Sequence, residues 1–430
     1  MKHLHKFVLF TCLLLPCGIA VGQAGPGFPS PAFHWKCPSS DSLLNFHPAT
    51  VSPLRFDSIP YAEDYTVVAV YKPVADTEAT VWRLVFADST VRVLTTERIL
   101  SDSTAIRYAE WSDRKPAIHT LRQSAPDIPS VNVSLSVGDG NAKVSEVLYF
   151  DRRLGDAALR RVQSALAIRY GITLGPVDYV GGGGNRVWRH RLDSAMFHHR
   201  ITGIGSDTAC NLRQLRSRSE MDGAVVTLSA DSLPMGAYLL LGDNDAPLTF
   251  RQDDGGIETL ARKWRIQSVG AEDAAFSLAF DLRDLPAPAD SLVLVLDGSA
   301  VLPSAVTDGE VRFDHLWLTY DTGAFTLARG ALLWQLAQSG GAVAHGGMGA
   351  TGLPHVTAYP NPTTGRFAIE VADARRVRVT VYDLRGRVMA SFDGCDRDRY
   401  LFEGTLPSGS AYYATVATEN GTQTMKLVVK

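Results

Sequence analysis

The segment Tyr65-Thr66-Val67-Val68-Ala69-Val70-Tyr71 consists almost entirely of β-branched and aromatic residues, and it stops at Lys72-Pro73. Such residues favour strands, whereas proline lacks the N–H that a strand ladder needs. Comparable runs, separated by Asp, Asn, Gly or Pro, follow at 81–86, 90–95, 131–137 and 144–150. This spacing predicts an antiparallel β-sandwich.

One helix is predicted after these strands. Leu159, Val162, Leu166 and Tyr170 recur at helical spacing, Asp156 lies near the start, and Gly171 follows the last apolar residue. An acidic residue in the first turn and a glycine after the last turn are typical helix ends. We therefore expect a prominent helix at about 156–170.

The second half of the chain again favours strands. After the turn-forming run Gly181–Gly184, apolar runs lie at 224–228, 237–241, 264–269, 276–282, 292–296, 311–313 and 325–329. Residues 339–352 are rich in Gly and small residues and should form a flexible linker. Beyond the linker, alternating segments lie at 367–371, 377–382, 388–392, 412–417 and 424–429, which predicts a compact C-terminal sandwich.

The N-terminus has the pattern of a secretory signal peptide. Lys2 and Lys6 precede an apolar run at 7–16, and small residues follow up to Gly22. Cleavage between Gly22 and Gln23 is expected, while Cys17 offers an alternative lipoprotein interpretation. No later stretch reaches the roughly 18 apolar residues that span a bilayer, so we expect no membrane segment in the mature chain.

Charge and cysteine content exclude several classes of protein. The chain has 430 residues, more than a single core usually supports, and a net charge of −3, which gives no indication of nucleic acid binding. Cys37, Cys210 and Cys395 remain after signal removal and are far apart. Neither a disulfide framework nor a zinc site is expected from them.

The C-terminal segment resembles a known export signal. Its phrase Ala358-Tyr359-Pro360-Asn361-Pro362-Thr363-Thr364-Gly365-Arg366-Phe367 is followed by Val379-Thr380-Val381-Tyr382-Asp383-Leu384-Arg385-Gly386-Arg387-Val388, and the chain ends at Lys430. These motifs resemble the type A C-terminal sorting domain of the type IX secretion system of Bacteroidetes. The resemblance implies an immunoglobulin-like sandwich with its sorting motif at Pro360, Asn361, Pro362, Gly365, Gly386 and Lys430. It also implies recognition by the secretion translocon and a sortase, followed by attachment to surface lipopolysaccharide or release.

A second resemblance covers the middle of the chain. Residues 145–154 running into 162–174 resemble the junction between a concanavalin A-like (laminin G-like) fold and a Bacteroidetes surface-protein domain of unknown function. Similar landmarks lie at 201–207, 212–219, 239–244 and 260–267. Only about 95 residues separate Phe56 from Asp151, so the lectin-like part would be shortened, and shortened loops weaken any case for sugar binding.

Together these patterns predict a mainly β, multidomain chain. We expect a signal peptide at 1–22, a leader at 23–53, a truncated concanavalin A-like sandwich at 54–154, a helix and β-rich domain at 155–336, a linker at 337–354 and the sorting domain at 355–430.

No catalytic motif is found: the chain contains no His-Glu-x-x-His, no Gly-x-Ser-x-Gly and no phosphate-binding loop. Gly203-x-Gly205 is interpreted as a tight turn, and His198-His199 as a surface pair rather than metal ligands. Asp243-Asn244-Asp245 and Asp253-Asp254 carry oxygens suited to Ca²⁺, although turn chemistry also explains them. No metal or catalytic residue is assigned.

Other residues suggest ligands less directly. Arg213, Arg216 and Arg218 could contact an acidic polymer, but we expect Trp188, Trp264 and Trp317 in the core rather than at a ligand. Asp followed by Ser or Thr and then by an apolar residue or Thr resembles the general O-glycosylation signal of exported Bacteroidetes proteins, although Asp-Ser is also a common turn former. The candidate acceptors are Ser42, Ser58, Ser103, Ser194, Thr208, Ser232 and Ser291.

The sequence thus predicts a secreted or cell-surface, non-enzymatic protein that acts in adhesion, surface structure or weak glycan binding. The alternative is a glycan-active hydrolase carried to the surface by the same tail, since the carboxylates of a glycosidase meet in space rather than in sequence.

Overall fold

The computed structural model describes residues 28–329 and 355–430, except positions 75, 103, 109–114, 127–131, 192–196, 253–257, 272–273, 286–291, 297–298, 317, 319–321, 373, 384–387, 396–398, 409 and 419–420. The predicted signal peptide, its cleavage point at Gly22-Gln23 and the linker at 337–354 lie outside the described residues. No helix in the described part of the chain is long and apolar enough to cross a membrane.

The first region is a sandwich of two antiparallel sheets. Its strands are β1 (Phe33–Lys36), β2 (Leu43–Leu44), β3 (His47–Pro48), β4 (Leu54–Pro60), β5 (Asp64–Pro73), β6 (Thr80–Val85), β7 (Val91–Thr95), β8 (Arg98–Ser101), β9 (Thr104–Tyr108), β10 (Ala117–Ser124), β11 (Asn132–Val137) and β12 (Ala142–Phe150). One sheet has the order β1-β12-β5-β10 and the other β4-β11-β6-β7-β8-β9, while β2 and β3 form a small hairpin. Tyr65, Val67, Trp82, Leu84 and Val147 fill the space between the sheets.

The predicted leader at 23–53 is wrong over part of its length. Strand β1 pairs with β12, and Phe33 and Trp35 are buried in the core of the sandwich. Their alternation is short and surrounded by Pro, Ser and Gly, and the partner strand lies more than 100 residues later, so the local pattern is weak.

The predicted helix is confirmed as α1 (Asp156–Tyr170), and Gly171 ends it in the left-handed conformation with φ 60°. The helix is buried on two sides. Leu159, Val162, Leu166 and Tyr170 pack with the outer face of the β5–β12 sheet. Ala165, Ala167 and Ile168 pack with the second β region. Helix α1 therefore joins two cores.

The second region contains two further sheets. Its strands are β13 (Tyr179–Val180), β14 (Arg186–Trp188), β15 (His199–Asp207), β16 (Leu212–Gln214), β17 (Arg216–Arg218), β18 (Val226–Ser229), β19 (Ala237–Asp243), β20 (Phe250–Gln252), β21 (Glu258–Leu260), β22 (Trp264–Val269), β23 (Phe276–Asp281), β24 (Leu292–Leu296), β25 (Ser299–Val301), β26 (Ala305–Val306), β27 (Glu310–Leu316) and β28 (Thr322–Arg329). A nine-stranded sheet contains the path β16-β15-β19-β22-β28-β21-β20, with β24 paired to β28 and β25 to β24. The other sheet has the order β17-β18-β23-β27-β26.

Aromatic residues fill this second core. The rings of Trp264 and Phe325 stack with centroids 5.7 Å apart, and Phe280 meets both edge-on. Trp188 is buried in the neighbouring core, which includes residues of helix α1. The predicted core positions of Trp188 and Trp264 are confirmed, whereas Trp317 lies outside the described residues.

The tight turn predicted at Gly203-x-Gly205 is wrong, because both glycines lie inside strand β15. They are needed for close approach. A Cβ at Gly203 would lie 2.6 Å from Cγ of Leu240, and a Cβ at Gly205 would lie 2.8 Å from the ring of Tyr238. Glycine inside a strand can mark such contact rather than a turn.

The C-terminal segment forms a separate hydrophobic core. Its strands are β29 (His355–Tyr359), β30 (Arg366–Ala372), β31 (Arg376–Tyr382), β32 (Val388–Cys395), β33 (Arg399–Thr405), β34 (Ser410–Thr418) and β35 (Gly421–Val429). They form the sheets β29-β30-β33 and β32-β31-β34-β35 around Phe367, Ile369, Val379 and Leu427. The predicted mainly β fold with several sandwich-like sheets is confirmed.

Candidate functional site

The predicted sorting motif lies between β29 and β30, where the end of the chain meets it. The N–H of Thr363 donates to the carbonyl of Val428, and the N–H of Lys430 donates to the carbonyl of Thr363, both at 2.8 Å. The N–H of Val428 donates to Oδ1 of Asn361 at 2.9 Å. The motif and the chain end, about 70 residues apart in sequence, therefore form one unit.

Gly365 fixes the exit of this motif. Its φ is +126°, and its carbonyl accepts the N–H of Leu406 at 2.8 Å. A Cβ at this position would lie 3.3 Å from the carbonyl oxygen of Leu406, in a conformation that favours glycine.

Pro360, Asn361 and Pro362 are exposed, and so is Lys430. The structure thus brings together five of the six predicted motif residues, while Gly386 lies outside the described residues. The two exposed prolines give this surface a rigid shape, because each proline ring fixes its own φ.

A buried charge cluster lies between the first sandwich and helix α1. Glu146 on β12 is 1% exposed and accepts two bonds from Nη1 of Arg169, at 3.1 and 2.9 Å. Tyr170 donates its hydroxyl to Glu146 at 2.8 Å, and Nε2 of His34 lies 2.7 Å from the same carboxylate. We call these four residues the Glu146 cluster.

The Glu146 cluster also reaches the second β region. Nη2 of Arg169 donates to the carbonyls of Cys210 and Asn211, at 3.2 and 3.0 Å. Burial by itself raises the pKa of Glu146, but the charge of Arg169 and the hydrogen bond from His34 outweigh burial and hold that pKa well below its usual range. The carboxylate is therefore charged and fully paired.

Asn45, at the turn between β2 and β3, makes a second bridge between the regions. Its Nδ2 donates to the carbonyl of Arg169 and to Oγ of Ser217, both at 2.9 Å. Its Oδ1 accepts the N–H of Arg218 at 2.7 Å, and its own N–H donates to Oε1 of Glu220 at 2.7 Å. The hairpin of the first region is thus fastened to β17 of the second.

His198 and His199, interpreted from the sequence as a surface pair, are both half-buried. The ring of His198 lies 4.6 Å from that of His199 and 4.9 Å from that of His190. The pKa of His190 is lowered, mainly by burial and then by His198. Among the described residues, no group of three or more metal-ligating side chains has the arrangement of a metal site.

The candidate Ca²⁺ oxygens are already paired. Nε and Nη2 of Arg200 each donate to one carboxylate oxygen of Asp243 at 2.7 Å, and Nη2 also contacts Asp245. The N–H of Asp245 donates to Oδ1 of Asp243 at 2.8 Å, and that of Ala246 donates to Oδ1 of Asn244 at 3.3 Å, as in ordinary turns. Asp253-Asp254 lies outside the described residues.

The basic stretch separates into two kinds of arginine. Arg218 is tied to Asp281 at 3.1 Å and to the carbonyl of Ala224 at 2.7 Å. Arg213 and Arg216 are exposed, and the guanidinium of Arg216 lies 4.3 Å from the ring centre of Phe46. Of these three arginines, only Arg213 and Arg216 are open to a ligand.

The remaining candidates are spread over the chain. Ser58, Thr208 and Ser232 are exposed, Ser42 is half-buried, and Ser103, Ser194 and Ser291 lie outside the described residues. Cys37 and Cys210 are buried, Cys395 is exposed, and all three are free thiols.

The Glu146 cluster was not predicted from the sequence. Its signal was a charged residue in an otherwise apolar strand, Val144-Ser145-Glu146-Val147-Leu148, together with Arg169 next to the apolar stripe of a helix. A buried charge is almost always paired, so each residue indicates a partner without identifying it.

Two families match parts of this chain. Residues 158–317 match a domain of unknown function (DUF8202), and residues 357–430 match the secretion system C-terminal sorting domain. The second match supports the chain as type IX secretion cargo and indicates export to the medium or the cell surface. It agrees with the motif around Pro360 and Lys430. No curated protein matches the chain.

Solved structures add no further argument. A Paenibacillus sp. cycloisomaltooligosaccharide glucanotransferase is 11% identical with a TM-score of 0.15, and the match covers 68% of this chain and 45% of that chain. The 47-kilodalton lipoprotein Tp47 of Treponema pallidum is 9% identical with a TM-score of 0.18, covering 85% and 87%. Latent PorU of Porphyromonas gingivalis is 9% identical with a TM-score of 0.15, covering 89% and 32%. TM-scores this low do not show a shared fold.

Proposed function

We propose that the described part of the chain before residue 355, which we call the body, is a non-enzymatic protein of the cell surface or medium. The premise of this proposal is the type IX sorting tail at residues 357–430. The body would act in adhesion, surface structure or weak glycan binding. The translocon and a sortase would read the tail, and the body would then be joined to surface lipopolysaccharide or released.

The observation that carries this proposal is that two buried carboxylates of the body are already paired with other side chains of the protein. The carboxylate of Glu146 is hydrogen-bonded to Arg169, Tyr170 and His34, and the carboxylate of Asp243 is hydrogen-bonded to Arg200. A general acid or base needs a proton to exchange with a substrate and a pKa near the working pH. The pKa of Glu146 instead lies well below its usual range, so the carboxylate keeps its charge, which suits a structural ion pair.

The position of these pairs supports the same role. Helix α1 packs with the first sandwich through Leu159 and Val162 and with the second region through Ala165 and Ile168. The Glu146 cluster and Asn45 add directed bonds across the same junction. Two β regions joined in this way form a stiff body, which suits a protein that is displayed. The concanavalin A-like identity of residues 54–154 stays a prediction.

The test is a glycan array combined with a hydrolysis screen on the full chain. We expect binding without turnover, or neither activity if the role is purely structural. Turnover of a glycan that disappears on substitution of a single carboxylate would contradict the proposal and favour a surface hydrolase.

A further inference from the structure

The hairpin β2–β3 has an unusual residue at its tip. Leu44 pairs with His47, so Asn45 and Phe46 are the two loop residues, with φ of 46° and 65°. Two-residue loops with both φ positive favour Asn followed by Gly. Here a phenylalanine occupies the position that suits glycine, and it remains 41% exposed.

This conformation is held firmly by the surroundings. The four hydrogen bonds of Asn45 to Arg169, Ser217, Arg218 and Glu220 fix the residue before Phe46. Bulky residues with positive φ are rare and persist where the structure imposes them, often at sites of recognition. Phe46 thus keeps 41% of its surface exposed in a conformation that glycine would adopt without strain.

The segment 213–216 runs beside the hairpin, because Oε1 of Gln214 lies 2.8 Å from Nε2 of His47. It adds exposed Arg213 and Leu215, and the guanidinium of Arg216 lies over the ring of Phe46. We define the hairpin patch as the five exposed residues Leu43, Phe46, Arg213, Leu215 and Arg216.

The chemistry of the hairpin patch is apolar and cationic. Neither Arg213 nor Arg216 has an ion pair within the part of the chain that the structure describes. The neighbouring carboxylate of Glu220 is engaged by Lys72 at 3.1 Å. Arginine presents a planar fork of donors that matches a carboxylate, and an aromatic ring offers a flat apolar face.

We infer that the hairpin patch binds an acidic polysaccharide, with the ring of Phe46 against the C–H face of a sugar and Arg213 and Arg216 on its carboxylates. This inference rests on the proposed function, since it identifies the glycan class and the place of contact. The patch lies where the β2–β3 hairpin meets β16 and β17, and therefore depends on both β regions.

The test measures binding of polygalacturonate to the full chain by titration calorimetry. We expect the parent to bind this polymer and to bind its fully methyl-esterified form much more weakly, because esterification removes the carboxylates. Arg216→Gln should weaken binding by about ten-fold or more, the scale of one lost charge-assisted contact. Phe46→Gly should weaken it by about the same factor, because the aromatic face that packs on the sugar is lost. Exposed residues outside the patch, Arg83→Gln and Met235→Ala, serve as matched controls and should bind like the parent.

Thermal unfolding separates binding from folding. Glycine suits the position of Phe46, so Phe46→Gly should melt at or above the temperature of the parent while losing affinity. A lower melting temperature would make Phe46 structural and overturn the inference. Equal binding by the parent and both patch variants, or no binding of polygalacturonate by the parent, would also overturn it. The glycan array still tests the proposed function in that event, because binding of a neutral glycan without turnover would leave the proposed function standing.

Discussion

At the scale of single residues, the buried carboxylate of Glu146 connects the first sandwich to helix α1. Its side chain is almost fully enclosed, and its partners come from the first sandwich and the helix, while Arg169 continues to the second region. Removing charges from water is costly, and a buried pair offsets that cost only when its geometry is complete. The cluster should therefore be sensitive to loss of either partner.

Glu146→Gln and Arg169→Met should each lower the free energy of unfolding by about 3–5 kcal/mol, because each leaves a buried charge unpaired. The double variant Glu146→Gln/Arg169→Met should lose less than the sum of the two. Urea unfolding of the four chains measures this coupling. Asp151→Asn, which removes an exposed pair with Arg152, is the control and should change stability by about 0.5 kcal/mol or less. Strict additivity would contradict the account.

At the scale of elements, helix α1 depends on where it stops. Gly171 has φ 60°, and a Cβ there would lie 2.3 Å from the carbonyl oxygen of Arg218. Its own carbonyl accepts the N–H of Glu220 at 2.9 Å. The end of the helix is therefore packed directly against the segment that follows β17.

Gly171→Ala should destabilise the chain by more than the roughly 1–2 kcal/mol that a left-handed residue costs, because the added methyl also collides with backbone. Gly175→Ala is the matched control: its Cβ would meet nothing within 4 Å, and its φ is not positive. Thermal unfolding compares the two variants. Equal melting temperatures would show that the helix end is not fixed as described.

Local patterns predicted the elements whose signals lie within one segment. Helix α1 has both its periodicity and its Gly171 end in about 16 consecutive residues. Strand β1 was missed because it is stabilised by pairing with β12, far away in the sequence. Gly203-x-Gly205 was misread as a turn because the close contacts that require glycine come from Leu240 and Tyr238 on the neighbouring strand. The sorting motif could be predicted, but its contact with Lys430 needs the folded sandwich.

At the scale of the whole molecule, the sorting tail and the rest of the chain are built on different hydrophobic cores. The tail has its own core around Ile369 and Leu427, and the body has the cores on either side of helix α1. The described body contains the Glu146 cluster and the hairpin patch, whereas the motif at Pro360–Gly365 lies in the tail. The chemistry of the mature protein is therefore expected in the body.

The most direct test deletes residues 355–430 in the native host and follows the chain by cell fractionation and surface protease accessibility. The full chain should reach the surface or the medium, and the exposed tail variant Glu403→Gln should behave like it. The truncated chain should stay in the periplasm, because the translocon has no signal to read. Unchanged surface display of the truncated chain would contradict the claim that this tail directs export.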